Sequence, residues 1–157
     1  MEKYCYSHPR PSVTVDVVCV ACVEGRWFVL LVRRSQCPFK DFWALPGGFV
    51  EIDEDIEEAA RRELKEETGL DVRDVRQFYC FGRPDRDPRG RTISIGFIAI
   101  CERKEEVRGG DDAKEARWFC VRELPELAFD HNEIVGKAME TISQWRKLGI
   151  IKEVGCD

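Results

Sequence analysis

Apolar positions fall in short clusters broken by charge, and the spacing within each cluster predicts its element. Val13 to Val23 is rich in β-branched residues, interrupted by Asp16, and is followed by Glu24-Gly25-Arg26 and then the apolar run Trp27 to Val32. Two such runs around a glycine turn predict a β-hairpin. Arg33 to Phe42, polar and carrying Pro38, predicts a loop, after which Trp43-Ala44-Leu45-Pro46 leads into Gly47-Gly48. A glycine pair permits positive φ and the close approach of a ligand. From Asp55 to Thr68 the chain is dominated by Ala, Glu, Lys, Arg and Leu and then meets Gly69, which predicts a helix with Asp53 as its N-cap. Val72 to Gly82, Thr92 to Cys101 and Ala116 to Val121 predict strands, separated by the polar loop Arg83 to Arg91 and the charged loop Arg103 to Lys114. After a connection at Leu124-Pro125, His131 to Lys147 predicts a last helix with Ile134, Val135, Ala138, Ile142 and Trp145 near one face.

Length and charge narrow what such a chain does. At 157 residues it fits a single domain, 1–157, with one respectable core. Hydrophobic residues at 43% and charged residues at 35% describe a soluble globular protein. A net charge of -5 argues against non-specific duplex binding, which draws its affinity from Lys and Arg, but leaves room for a small phosphorylated substrate accompanied by a divalent cation. Val13 to Val23 is too short to cross a bilayer as a helix, and Met1-Glu2-Lys3-Tyr4 lacks the start of a secretion signal. The expectation is a cytoplasmic protein with neither a membrane nor a nucleic-acid partner. Of the eight cysteines, Cys19, Cys80, Cys101 and Cys120 lie in apolar or aromatic runs where a thiol packs as a small hydrophobe. Cys19 and Cys22 form a C-x-x-C without a second pair or paired histidines, so reduced thiols are the default expectation rather than zinc, with disulfides left open as in an intracellular thermophile.

Chemistry concentrates in the first helix. With about 100° per residue, Glu66 and Glu67 flank Glu63 within an arc of roughly 100°. Such a face is either solvated charge or a set of hard oxygen donors suited to Mg2+ or Mn2+. The wider pattern decides between them. Gly48, Glu54, Arg62, Glu63, Leu64, Glu66, Glu67, Gly69 and Leu70 match, without a departure, the signature G-x5-E-x7-R-E-U-x-E-E-x-G-U, with U a bulky aliphatic residue. The chain therefore resembles the Nudix hydrolases, and the element order resembles that family's α/β fold, an alpha/beta/alpha sandwich with a mixed central sheet.

The resemblance implies Mg2+-dependent hydrolysis of a nucleoside diphosphate linked to another group. It assigns the cation to Glu63, Glu66 and Glu67 with the Gly47 carbonyl, and an orienting ion pair to Arg62 and Glu54. A general base would come from the same helix or from a later loop, where Glu102, Glu105, Glu106, Asp111, Asp112 and Glu115 are available; Glu115 leads because it immediately precedes a predicted strand. The loop carrying Arg83, Arg86, Arg89 and Arg91 is either a salt-bridged turn or a phosphate clamp. With Pro84 and Leu127-Ala128-Phe129-Asp130-His131 it resembles the ADP-ribose pyrophosphatase branch, implying hydrolysis of ADP-ribose to AMP and ribose 5-phosphate. Phe81, Trp43 and Phe129 are core residues or adenine-stacking partners, and His131 is a helix-start hydrogen-bonder or a substrate contact. Triphosphates, diadenosine polyphosphates and other sugar nucleotides are the alternative substrates, and a non-catalytic ligand sensor is the alternative class. Members of the family often form homodimers that complete the pocket across the interface; the sequence leaves the assembly open.

Overall fold

The computed structural model describes residues 4–110 and 112–151. A seven-stranded mixed sheet is built on β1 (Ser12–Val23), whose two edges are used differently. One edge pairs in parallel with β6 (Thr92–Cys101), in register from Ser12↔Thr92 to Ala21↔Cys101. The other pairs with β2 (Arg26–Arg34) only over Val20 to Val23, through a turn in which Glu24 and Gly25 both have positive φ, 50° and 70°. Two consecutive left-handed residues suit the twist of a two-residue hairpin. Upstream of Val20 the two strands diverge. The gap is filled by β3 (Trp43–Ala44), which pairs with β2, and β4 (Gly47–Phe49), which pairs with β1 through Asp16↔Gly47 and Val15↔Gly48. β7 (Ala113–Cys120) and β5 (Arg76–Phe81) complete the sheet on β2 and β6.

Because β1 lies inside the sheet, successive side chains feed two different cores. Val15, Val17, Cys19 and Ala21 pack toward helix α1 (Ile56–Thr68), while Val18 and Val20 pack toward helix α2 (His131–Lys147). On the first face Ala59, Ala60 and Leu64 are fully buried, the alanines letting α1 approach closely. On the second, Ile134, Val135, Ala138 and Ile142 form the inward stripe expected from their spacing, with Trp145 partly buried beside them. Leu64→Ala is expected to cost about 2–5 kcal/mol, since a fully buried leucine leaves a cavity that rigid strands cannot close; urea unfolding would measure it.

Several boundaries differ from the sequence expectation. Asp55, not Asp53, caps α1, its carboxylate accepting the Glu57 N–H at 2.9 Å. Just before it, Glu54 turns back to accept the Glu51 N–H and the Arg62 guanidinium, which delays the helix start. β5 begins at Arg76 rather than Val72, because Val72 and Val75 pack under α1 instead of pairing. β7 starts early, at Ala113, through an irregularity opposite Arg33 and Arg34. Among the cysteines, Cys19 and Cys101 face each other in the core with sulfurs 3.6 Å apart. Cys80 is exposed on β5 rather than packed as its aromatic neighbours suggested. Cys22 is disulfide-bonded, a departure from the expectation of reduced thiols. Among the described residues no helix is long and apolar enough to cross a membrane.

Candidate active site

The wedge between β1 and β2 places Gly47 and Gly48 on the floor of a cleft, directly against α1. The glycines are required by crowding. Neither has positive φ, contrary to the sequence expectation. A Cβ on Gly47 would strike the Val15 carbonyl and lie 2.8 Å from Asp16 Oδ1, and one on Gly48 would run into the Glu63 carboxylate. The absence of a side chain at Gly48 thus leaves room for the Glu63 carboxylate against the turn, and the Gly47 N–H donates to Glu67 Oε2 at 3.0 Å.

Burial dominates the electrostatics of this pair. Burial pushes Glu67 up to about 8, with Glu63 and Asp16 adding to the rise and the Gly47 N–H and Arg34 opposing it. Burial likewise raises Glu63, against the pull of Arg62. Two hard carboxylates that resist ionisation beside a third carboxylate, Asp16, suit a divalent metal ion, which would restore their charge. Glu66 is half-exposed and turned to Arg62 at 3.1 Å. Among the described residues no three acidic, imidazole or thiol groups are already gathered as a ligand set, so recruiting Glu66 requires it to leave Arg62.

Arg62 is the hub of the brace. Its Nε and Nη2 donate to Glu54 at 2.6 and 2.9 Å, Nη1 donates to Glu63 at 2.8 Å, and Nη2 also reaches the Phe49 carbonyl. Arg62 holds Glu54 below the usual carboxylate range. The result ties β4, the helix start and Glu63 together.

Behind the turn lies a buried polar set. Arg86 donates to both Asp130 oxygens at 2.9 and 2.7 Å, and its Nη2 is 3.7 Å from Asp16 Oδ2. Ser94 donates to the same Asp16 oxygen. The Leu45 N–H donates to Nδ1 of His131 at 2.9 Å, so the proton of the neutral imidazole sits on Nε2, 3.3 Å from Asp16 Oδ1. Burial keeps His131 neutral by lowering its pKa.

The mouth is cationic and aromatic. Phe129, held at φ 52°, receives the Arg34 guanidinium at 4.9 Å and the Arg89 guanidinium at 5.4 Å from its ring centre. Arg89 also lies over Phe49 and is held by Asp87. Arg34 donates from Nε to the Pro38 carbonyl; among the described residues no hydrogen bond engages its terminal nitrogens. Its pKa is lowered by burial and then by the charge of Arg89. Two repelling guanidiniums over one ring make a natural seat for a phosphate.

The structure therefore gathers Gly47, Glu63, Glu67, Arg86, Arg89 and His131 around one cleft. Other candidates lie elsewhere. Arg83 is drawn to Asp85 and Glu133, and Arg91 donates to the Gly82 carbonyl. Phe81 packs against Phe78 and the α2 core, as Trp43 does with Phe119. Glu115 pairs with Arg117 on β7, on the face opposite Ala116 and Trp118, which pack toward α1. Of the acidic candidates in the preceding loop, Asp112 lines the cleft and accepts from Gln36 at 2.7 Å, whereas Asp111 lies outside the described residues. Asp16, Arg34, Gln36, Phe49 and Asp87 also line the cleft and were not singled out from sequence. Asp16 had a signal, a lone carboxylate in a Val-rich strand.

Comparison with known proteins returns one consistent pattern. The family model of the NUDIX domain matches residues 10–140. The ADP-ribose pyrophosphatase of Methanocaldococcus jannaschii is 47% identical over 136 residues, 86% of this chain and 76% of that protein. The ADPR responsive transcriptional repressor NtrR of Acinetobacter baylyi is 31% identical over 140 residues, and the match spans 56% of its length. Among solved structures, the NUDIX domain of Shewanella oneidensis NrtR complexed with ADP ribose superposes with a TM-score of 0.79 at 30% identity, covering 87% of this chain and 91% of that one.

Proposed function

The chain belongs to the Nudix hydrolase family, and from that premise we propose that its cleft hydrolyses ADP-ribose to AMP and ribose 5-phosphate in the presence of Mg2+ or Mn2+. The observation that carries the proposal is the placement of Glu63 and Glu67 at the Gly47-Gly48 turn, facing a cleft whose mouth holds Arg34 and Arg89. The similarity to an ADP-ribose pyrophosphatase and to an ADP-ribose-bound domain supports this choice of substrate.

Glu63, Glu67 and the Gly47 carbonyl would hold the cation, with Glu66 completing the set. Bound there, a divalent ion supplies charge neutralisation for the pyrophosphate and a lower pKa for an attacking water. The protein's own contribution is positioning. Arg34 and Arg89 bind the diphosphate, the Phe129 ring fixes the two guanidiniums, and Asp112 is the acidic side chain placed to accept a proton at the mouth. Arg62 and Glu54 hold Glu63 and the turn in register.

Arg34→Ala is expected to lower kcat/KM for ADP-ribose about 10–100-fold, the worth of charge-assisted hydrogen bonds to phosphate. Arg83→Ala, whose partners lie outside the cleft, serves as the control expected to change little. Steady-state kinetics checks both.

A second reading, a non-catalytic ADP-ribose sensor, is favoured by the similarity to the ADPR responsive repressor. A panel of ADP-ribose, nucleoside triphosphates, diadenosine polyphosphates and other sugar nucleotides, assayed with Mg2+ for released AMP, phosphate or sugar phosphate, separates the readings. Rapid ADP-ribose turnover supports the proposal. Triphosphate turnover with negligible ADP-ribose cleavage would replace the substrate. Binding of ADP-ribose with no cleavage of any panel member would favour the sensor.

A further inference from the structure

Four ionisable side chains outside the signature are buried together behind the turn: Asp16, Arg86, Asp130 and His131, each no more than 7% exposed. Burying such groups brings little stability, because the desolvation they suffer offsets most of their attraction. Their geometry indicates another use. The Leu45–Gly47 backbone is held at three successive points: the Leu45 N–H by His131 Nδ1 at 2.9 Å, the Pro46 carbonyl by the Val17 N–H at 2.8 Å, and the Gly47 N–H by Glu67 at 3.0 Å. Only the first of these is a side chain outside the signature. Asp16, facing Nε2, selects the imidazole tautomer that leaves Nδ1 free to accept. Arg86, clamped by Asp130, ties the 82–91 loop to the same set, one residue from Asp87 and three from Arg89.

We infer that His131 and Asp16 are positioning residues for the divalent-cation site, fixing the backbone from which Gly47 is presented and against which Glu67 is oriented. The inference rests on the proposal that this site holds a cation. Partners that orient a ligand, without touching the metal, typically govern affinity about 10–100-fold.

His131→Leu and His131→Asn are close in size, but the Asn carboxamide oxygen falls near the position of Nδ1 and can accept the Leu45 N–H. Mn2+ binding to the metal-free chain is measured by calorimetry, below the unfolding temperature of each variant, alongside kcat and KM for ADP-ribose. His131→Leu is expected to weaken Mn2+ binding about 10–100-fold and to lower kcat more than it raises KM, with His131→Asn retaining most of the affinity. A purely structural role would lower Tm and leave the Mn2+ affinity of the folded protein unchanged. Should His131→Leu fail to fold, His131→Gln takes its place: its amide reaches toward Asp16 rather than Leu45, and it is expected to bind Mn2+ more weakly than His131→Asn. Equal Mn2+ affinity in the wild type and all folded variants overturns the inference alone. Absence of Mn2+ binding by the wild type overturns the metal reading, and the inference with it.

Discussion

Glu67→Gln is expected to lose ADP-ribose turnover by roughly two orders of magnitude or more while the fold survives. The substitution keeps the shape and the acceptor for the Gly47 N–H but removes the charge a cation would need. The same change carries a stability signature of opposite sign. Glu67 is raised to about 8 in the fold, from 4.5, so the metal-free protein loses stability as pH rises from the lower value through the higher. A glutamine, resembling the protonated acid, escapes that loss. Metal-free Glu67→Gln is therefore expected to melt at a higher temperature than the wild type at pH 8, with the gap closing toward pH 4.5 or on adding Mg2+. Activity assays and thermal melts across pH test the two halves separately; wild-type turnover at saturating Mg2+ would refute the ligand assignment.

Gly47→Ala has the second large effect, through the backbone. The added methyl would collide with the Val15 carbonyl, which is backbone, and crowd Asp16, whose carboxylate is held by Ser94, His131 and Arg86. Relief requires separating β4 from β1, at a cost of about 1–3 kcal/mol or more, and that separation also breaks the Gly47 contact with Glu67. Stability is expected to fall together with Mn2+ binding. At Gly48 the obstacle is the end of the Glu63 side chain, which can shift at the expense of its contact with Arg62. Gly48→Ala is thus expected to be milder in urea unfolding than Gly47→Ala.

The elements were legible where composition and periodicity are local. β6 and α2 fall at the boundaries read from sequence, and the apolar stripe of α2 packs as its spacing predicts. The signature residues also pointed to the family whose model matches residues 10–140. What remained hidden depends on pairings between distant segments. Arg86 reads like the other loop arginines; only its contact with Asp130, 44 positions later, makes it a buried clamp. Arg34 was assigned to a loop; only the fold brings its guanidinium to the Phe129 ring that Arg89 shares. Glu115 looked better placed than Asp112 because β7 was expected to begin at Ala116. Its start at Ala113 commits Glu115 to a sheet face and leaves Asp112 at the mouth.

The splaying of β1 from β2 has a consequence for how such a protein can diversify. The turn that meets α1 takes the place of a missing stretch of sheet, with a strand partner on β1. The residues that would read the substrate come instead from segments at strand and helix ends: Arg34, Asp87, Arg89, Asp112 and Phe129. Changes of length or composition in those segments would reshape the mouth of the cleft while leaving the Gly47-Gly48 turn where its pairing with β1 holds it.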